Sequence, residues 1–75
     1  MYPMAITEPP RRISLSQKER DILRLIGEGY KSQQIADALC LSLPTIKWYR
    51  KQLRIKFGAE TTVQMIRMAA DLKII

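Results

Sequence analysis

From Leu43 to Phe57 the sequence reads LPTIKWYRKQLRIKF, with five basic residues, Lys47, Arg50, Lys51, Arg54 and Lys56, and no acidic one. The acid-free stretch extends from Ala38 to Ala59. Basic side chains at this density, interleaved with Trp48 and Tyr49, have one elementary chemistry: attraction to a polyanion, either nucleic acid or an anionic membrane surface. The whole chain leans the same way, with 13 Lys+Arg against 7 Asp+Glu and a formal net charge of +6. Nothing comparable points to catalysis. There is no His, the side chain most used for acid–base work near neutral pH. The single cysteine, Cys40, excludes an intramolecular disulfide and a Cys-only metal site, and fits a reducing compartment. With 75 residues there is little material to wall off a substrate pocket, so an enzyme is not expected.

Placed at about 100° per residue, the basic segment forms an amphipathic helix. Ile46, Leu53 and Phe57 share one side, with Leu43 and Tyr49 at its margins. Lys47, Trp48, Lys51 and Ile55 fall broadly opposite, while Arg50, Arg54 and Lys56 lie nearer the boundaries. A solvated face is the ordinary use of such charges, but it usually mixes signs and gains i, i+4 pairs; this one repels itself. An outward Trp beside two lysines is also unusual unless something covers it.

The elements that must position this helix are short. A chain of this length forms one domain and buries only about 60% of its unfolded surface. Hydrophobic residues make up 47%, normal for a globular domain. Residues 1–13 read as a linker or arm, since Pro3, Pro9 and Pro10 hold the chain extended. The domain is expected over 14–75. Its first helix begins at Ser16, where Ser16 and Glu19 have the spacing of a capping box, and stops at Gly29. Ile22, Leu23 and Ile26 make its core stripe. A short second helix spans about 32–39, carrying Ile35, Ala36 and Leu39. Cys40 is a small apolar residue in the tight connection that follows. Ser42 caps the third helix, over about 43–57, with Pro44 in its first turn and Gly58 at its end. A second capping box, Thr61 with Gln64, opens a fourth helix that runs to about Leu72. Met65, Ile66 and Ala69 can face the core, and Met65 and Met68 are packing material. Val63, Ala70 and Ile74, with Arg67 beside them, form a second stripe that suggests a partner chain. No period-two alternation persists, so the fold class is all-α, four helices joined by short turns. A short helix, a tight turn and a charge-bearing helix are the helix-turn-helix layout, whose second helix enters a DNA major groove.

The stretch LSQKERDILRLIGEGYKSQQIADALCLSLPTIKWYRKQLRIKFGAETTVQMIRMA resembles the LuxR-type (GerE-like) DNA-binding domain of bacterial transcription regulators. Leu15, Ser16, Lys18 and Glu19 match the opening of that pattern, and Leu23, Gly29, Ile35, Ala36 and Leu39 its middle. Leu41, Ser42, Thr45, Ile46 and Lys47 match its turn and recognition helix. The resemblance implies base contacts from Lys47, Trp48 and Lys51, the outward face already read from periodicity. It implies phosphate contacts from Thr45 and from Lys31, Ser32 and Gln33 at the start of the preceding helix. Arg50, Arg54 and Lys56 join the phosphate set. Tyr49 stands where the family usually has His, and its hydroxyl is placed within reach of a phosphate. Trp48 is bulkier than usual at its site, where it can press on a thymine methyl. Lys31 and Ser32 replace a small polar pair, and Thr62 stands where many members have Arg. The family's habit of dimerising through its last helix gives Val63, Arg67, Ala70 and Ile74 as the dimer surface.

The function expected is sequence-specific binding of double-stranded DNA in bacterial transcription regulation. The alternative is a basic helical protein-interaction module that docks an acidic partner. RNA fits less well, since there is no sheet platform of aromatics. The partners implied are double-stranded DNA, a second copy of the chain through the C-terminal helix when on DNA, and RNA polymerase. No cofactor and no membrane partner are expected. No apolar run approaches the ~20 residues of a membrane span, and the N-terminus has no secretory pattern, so a cytoplasmic location follows. A receiver or ligand-binding domain does not fit into 13 residues, so signal reception is expected outside this chain.

Overall fold

Ser16 sets the start of the first element. Its hydroxyl accepts from the Glu19 N–H at 3.1 Å, and the Glu19 carboxylate accepts from the Ser16 N–H at 2.9 Å, the reciprocal box that the S-x-x-E spacing predicts. The computed structural model describes residues 13–75, and in it helix α1 runs Gln17–Gly27. Gly29, at φ +95°, supplies the left-handed turn beyond its end, and the Tyr30 N–H reaches back to the Leu25 carbonyl at 3.1 Å. Of the expected linker only Ile13 is described, and its side chain packs against the edge of the core. The rest of that segment lies outside the described residues.

Helix α2 spans Ser32–Leu39. Its N-cap is Lys31, which offers no acceptor; the Gln34 side chain instead accepts from the Lys31 N–H at 2.8 Å. Cys40 ends α2 in the left-handed conformation at φ 57°, and it is exposed. Its place is therefore conformational, not that of an apolar filler, and it is one glycine would take at lower cost. Helix α3, Leu43–Phe57, begins at Ser42, whose Oγ accepts from the Thr45 N–H at 3.2 Å, and ends at Gly58 with φ +68°. Helix α4 runs Thr62–Asp71. Thr61 caps it, accepting from the Gln64 N–H at 3.0 Å. The second capping box does not close, however: the Gln64 side-chain Oε1 accepts from the Glu60 N–H at 2.8 Å, one residue upstream of the expected partner.

The core is a single cluster drawn from all four helices: Ile22, Leu23 and Ile26 from α1, Ile35 and Ala36 from α2, Ile46, Leu53 and Phe57 from α3, Met65 and Ala69 from α4. Helix α3 is its axis, packing on each of the other three, while α2 and α4 do not meet. Gly27 allows a close approach near the C-terminus, because a Cβ there would stand 3.1 Å from the Ile75 Cδ1 atom.

Lys56, in the last turn of α3, ties that turn to the start of α1. Its Nζ donates to Glu19 Oε1 at 2.9 Å and to the Ser14 carbonyl at 3.2 Å. Burial pushes the Glu19 carboxyl up, but the Ser16 N–H, Lys56 and the Ser16 hydroxyl together hold it below its ordinary value of 4.5. A carboxyl lowered in the folded state stabilises the fold fully above its unfolded value, and that contribution is lost as pH falls through the lowered one.

Two outcomes follow from this packing. Glu19→Gln should melt below the native chain at pH 7, and the gap should close as the pH falls from about 5 towards 3, read by thermal denaturation followed by circular dichroism. Leu53→Ala should cost about 2–5 kcal/mol in denaturant titrations, a large part of the stability of so small a domain; a near-native midpoint would mean that α3 is rotated otherwise.

Candidate nucleic-acid interface

With Ile46, Leu53 and Phe57 buried, the rotation of α3 is fixed, and Lys47, Trp48 and Lys51 project from the opposite side, all exposed. Trp48 meets Tyr49 edge-on, with ring centroids 5.1 Å apart and planes at 76°, an arrangement that braces the indole against the helix. Tyr49 itself is half-buried. Thr45 sits in the capping turn, where its hydroxyl lies 2.8 Å from the Ser42 hydroxyl.

Lys47, Arg50, Lys51 and Arg54 border a shallow concavity of about 450 Å³, closed by Ser32 at the start of α2 and by residues 60–62 before and within the first turn of α4. Two of these basic groups are held by neutral acceptors. The Arg50 guanidinium donates to Thr62 Oγ1 at 3.3 Å, and that of Arg54 to the Glu60 carbonyl at 3.5 Å. Burial, and then the charge of Arg54, hold the Arg50 pKa below its ordinary value. Among the described residues none of the four pairs with a carboxylate; the ion pairs there are Arg24–Asp21 and Lys56–Glu19. Positive charges packed side by side without a counter-charge are stabilised by an arriving anion.

The expected phosphate set is therefore only partly assembled. Ser32, Arg50 and Arg54 line the concavity. Lys31 is exposed at the α2 N-cap, and the Gln33 side chain is engaged with Asp37 at 2.9 Å. Lys56 stands apart from the set: its ammonium is held by Glu19 and the Ser14 carbonyl, on the α1 side of the helix, where it ties two helices together. Ile74 stands apart from the expected dimer surface. Helix α4 stops at Asp71, Lys73 turns left-handed at φ 59°, and the Ile74 N–H bonds back to the Ala69 carbonyl at 2.9 Å. Ile74 thus leaves the stripe and packs at the core edge, while Val63, Arg67 and Ala70 remain exposed along α4. The concavity against α4 was not expected. Its signal in the sequence is slight, since it depends on where the turn after Gly58 lays Glu60, Thr61 and Thr62.

Among the described residues no helix is long and apolar enough to cross a membrane, and no group of three His, Cys, Asp or Glu side chains could hold a metal.

Comparisons with known proteins agree with this geometry. Residues 13–69 match the model of the family described as bacterial regulatory proteins, luxR family (GerE). The chain is 41% identical over 61 residues to the transcriptional regulatory protein MctR of Rhizobium johnstonii, covering 81% of this chain and 28% of MctR. It is 39% identical over 59 residues to the DNA-binding transcriptional activator DevR/DosR of Mycobacterium tuberculosis, covering 79% and 27%. Among solved structures it resembles VqmA of Vibrio cholerae, a LuxR-type receptor. The VqmA dimer without its target DNA superposes with a TM-score of 0.81 at 35% identity, covering 84% of this chain and 28% of VqmA. The complex of VqmA with ligand and DNA gives 0.80 at 34%, covering 91% and 30%. The chain spans less than a third of the length of each of these proteins.

Proposed function

The chain belongs to the luxR family of bacterial regulatory proteins, as a helix-turn-helix DNA-binding domain of transcription regulation, and we propose that it binds a specific duplex operator with α3 in the major groove. The observation that carries this reading is the unneutralised cationic face of α3, presented by a helix whose other side is locked in the core. Lys47, Trp48 and Lys51 face the base edges, where lysine donates to guanine O6 and N7. Arg50, Arg54 and Ser32, with Thr45, Lys31 and Tyr49 around them, lie towards the sugar–phosphate backbone and set the register of the helix in the groove. A module that docks an acidic protein would use the same charges, and salt separates the two. Release of condensed counterions makes log affinity for DNA fall linearly, and steeply, with log salt concentration.

VqmA was solved as a dimer, and two copies of this chain are proposed to pair on DNA through the exposed face of α4 that holds Val63, Arg67 and Ala70. Three side chains are far short of the roughly 1,200 Å² that a stable complex buries, so the free chain should be monomeric at micromolar concentration. Adjacent half-sites raise the effective concentration enough for a weak contact to act.

Lys47→Ala and Lys51→Ala should each lower operator affinity by about 1–3 kcal/mol and relax specificity at one base pair, with unchanged helicity. Fluorescence anisotropy against an enriched operator and its single-base variants measures this, and full affinity in both variants would remove α3 from the groove. Ala70→Glu should abolish cooperative filling of paired half-sites while leaving single-site binding intact, an outcome visible in gel shifts on one-site and two-site duplexes. Cooperativity that survives would place the dimer contact elsewhere.

A further inference from the structure

Along α1, Gln17, Arg20, Arg24 and Glu28 follow one another at i, i+3, i+7 and i+11, a single exposed stripe about 16 Å long. This stripe is one wall of a groove of about 630 Å³ whose other wall is α4, with Ile66 and Ala70. Gly27, Ile74 and Ile75 complete its floor. A Cβ at Gly27 would stand 3.1 Å from Ile75 Cδ1 and 3.9 Å from Ile66 Cδ1, so the apolar floor is continuous from α1 to α4. Both helices pack on the core face of α3 and on each other, which puts the groove across the core from Lys47, Trp48 and Lys51. It shares no lining residue with the basic concavity between α3 and α4.

The charges of the α1 wall are as telling as the floor. Arg20 and Arg24 stand one turn apart and repel each other. Arg24 meets Asp21 at 3.8 Å with its own side chain 57% exposed, a surface pair of little strength. A carboxylate brought to each guanidinium would be gripped by two parallel hydrogen bonds, while the floor buries apolar side chains. A three-turn helix is about 10–12 Å across and fills more than about 1,000 Å³, so the groove takes one face of such a helix and leaves the other in water. We propose that the α1–α4 groove docks one face of an acidic amphipathic helix from another protein, with its apolar side chains over Gly27 and Ala70 and two carboxylates, one turn apart, on Arg20 and Arg24. This surface is distinct from the charges of α3, it stays open when a duplex covers α3, and its occupation does not depend on the DNA-binding reading.

The probe is a synthetic helical peptide of about 15 residues, with leucines at i, i+4 and i+7 and two glutamates one turn apart beside them, titrated into the isotope-labelled full chain. Amide resonances should shift at Arg20, Arg24, Gly27, Ile66 and Ala70 and stay still at Lys47 and Lys51. Arg20→Glu and Arg24→Glu should each weaken the peptide about tenfold, and alanine in place of its leucines should do the same, whereas Lys47→Ala and Lys51→Ala should change its affinity less than twofold. All four side chains are exposed, so circular dichroism should show every variant folded. A saturating operator duplex should leave the peptide affinity unchanged. Shifts centred on α3, equal losses in the lysine and arginine variants, competition between peptide and duplex, or no binding at all overturns the proposal. Groove resonances that move on dilution of the chain without peptide assign the groove to a second copy and overturn it likewise. Because the titration is made first on the chain free of DNA, a failure to bind any operator would count against the DNA reading alone.

Discussion

Helix α3 has to satisfy two opposed demands, and the fold is the solution to both. One side must bury Ile46, Leu53 and Phe57, because these three residues are what α1, α2 and α4 pack around. The other side must keep several positive charges and a Trp in water, without the carboxylates that would normally quiet them. Self-repulsion along an isolated helix of this kind would weaken it, since like charges at i, i+4 cost a few tenths of a kcal/mol each. Burial of full-sized apolar side chains contributes roughly 1.5–3 kcal/mol apiece, so the core face dominates and the charged face is carried along. The binding surface is thus a consequence of where the apolar residues fall.

Both ends of α3 are clamped, and the clamps differ in kind. At the start, Ser42 and Thr45 hold the first turn through a local capping bond. At the end, Lys56 reaches the Glu19 carboxylate that already caps α1, so one acidic group serves two helix termini. This spends a single positive charge of α3 on structure. It does so at the end of the helix farthest from the helix-turn-helix corner, where that charge is least useful for entering a groove. The half-buried position of the pair matters, because an exposed ion pair would be screened and would hold little.

The parts of this architecture that were legible in the sequence are those written in local chemistry. The limits of α3 follow from Ser42, Pro44 and Gly58, and its rotation from the spacing of Ile46, Leu53 and Phe57. The role of Lys56 was illegible because its partner lies 37 residues away, and a lysine in a basic run carries no mark of a distant carboxylate. The end of α4 agrees with the expected limit near Leu72, but the fold-back of Ile74 beyond it was illegible for another reason. No glycine or proline follows Asp71, and the chain stops the helix by placing Lys73, a residue with no preference for it, in the left-handed region. Gln64 failed in a subtler way. Its spacing from Thr61 is right, but the free Glu60 N–H lies within reach and takes the bond instead.

The same local detail joins the two surfaces of the domain. Arg50, on the flank of the binding helix, is hydrogen-bonded to Thr62, the first residue of α4. Val63, Arg67 and Ala70 stand on the exposed side of that helix. A phosphate drawn into the concavity would compete for the Arg50 guanidinium at the point where α4 begins, and the contact made there is with a hydroxyl, a weak partner that a charged oxygen displaces readily. Met65 and Ala69, fully buried, pack the rest of α4 against α3 and α1. The basic concavity and the exposed face of α4 therefore meet at the first turn of that helix, with Thr62 between them.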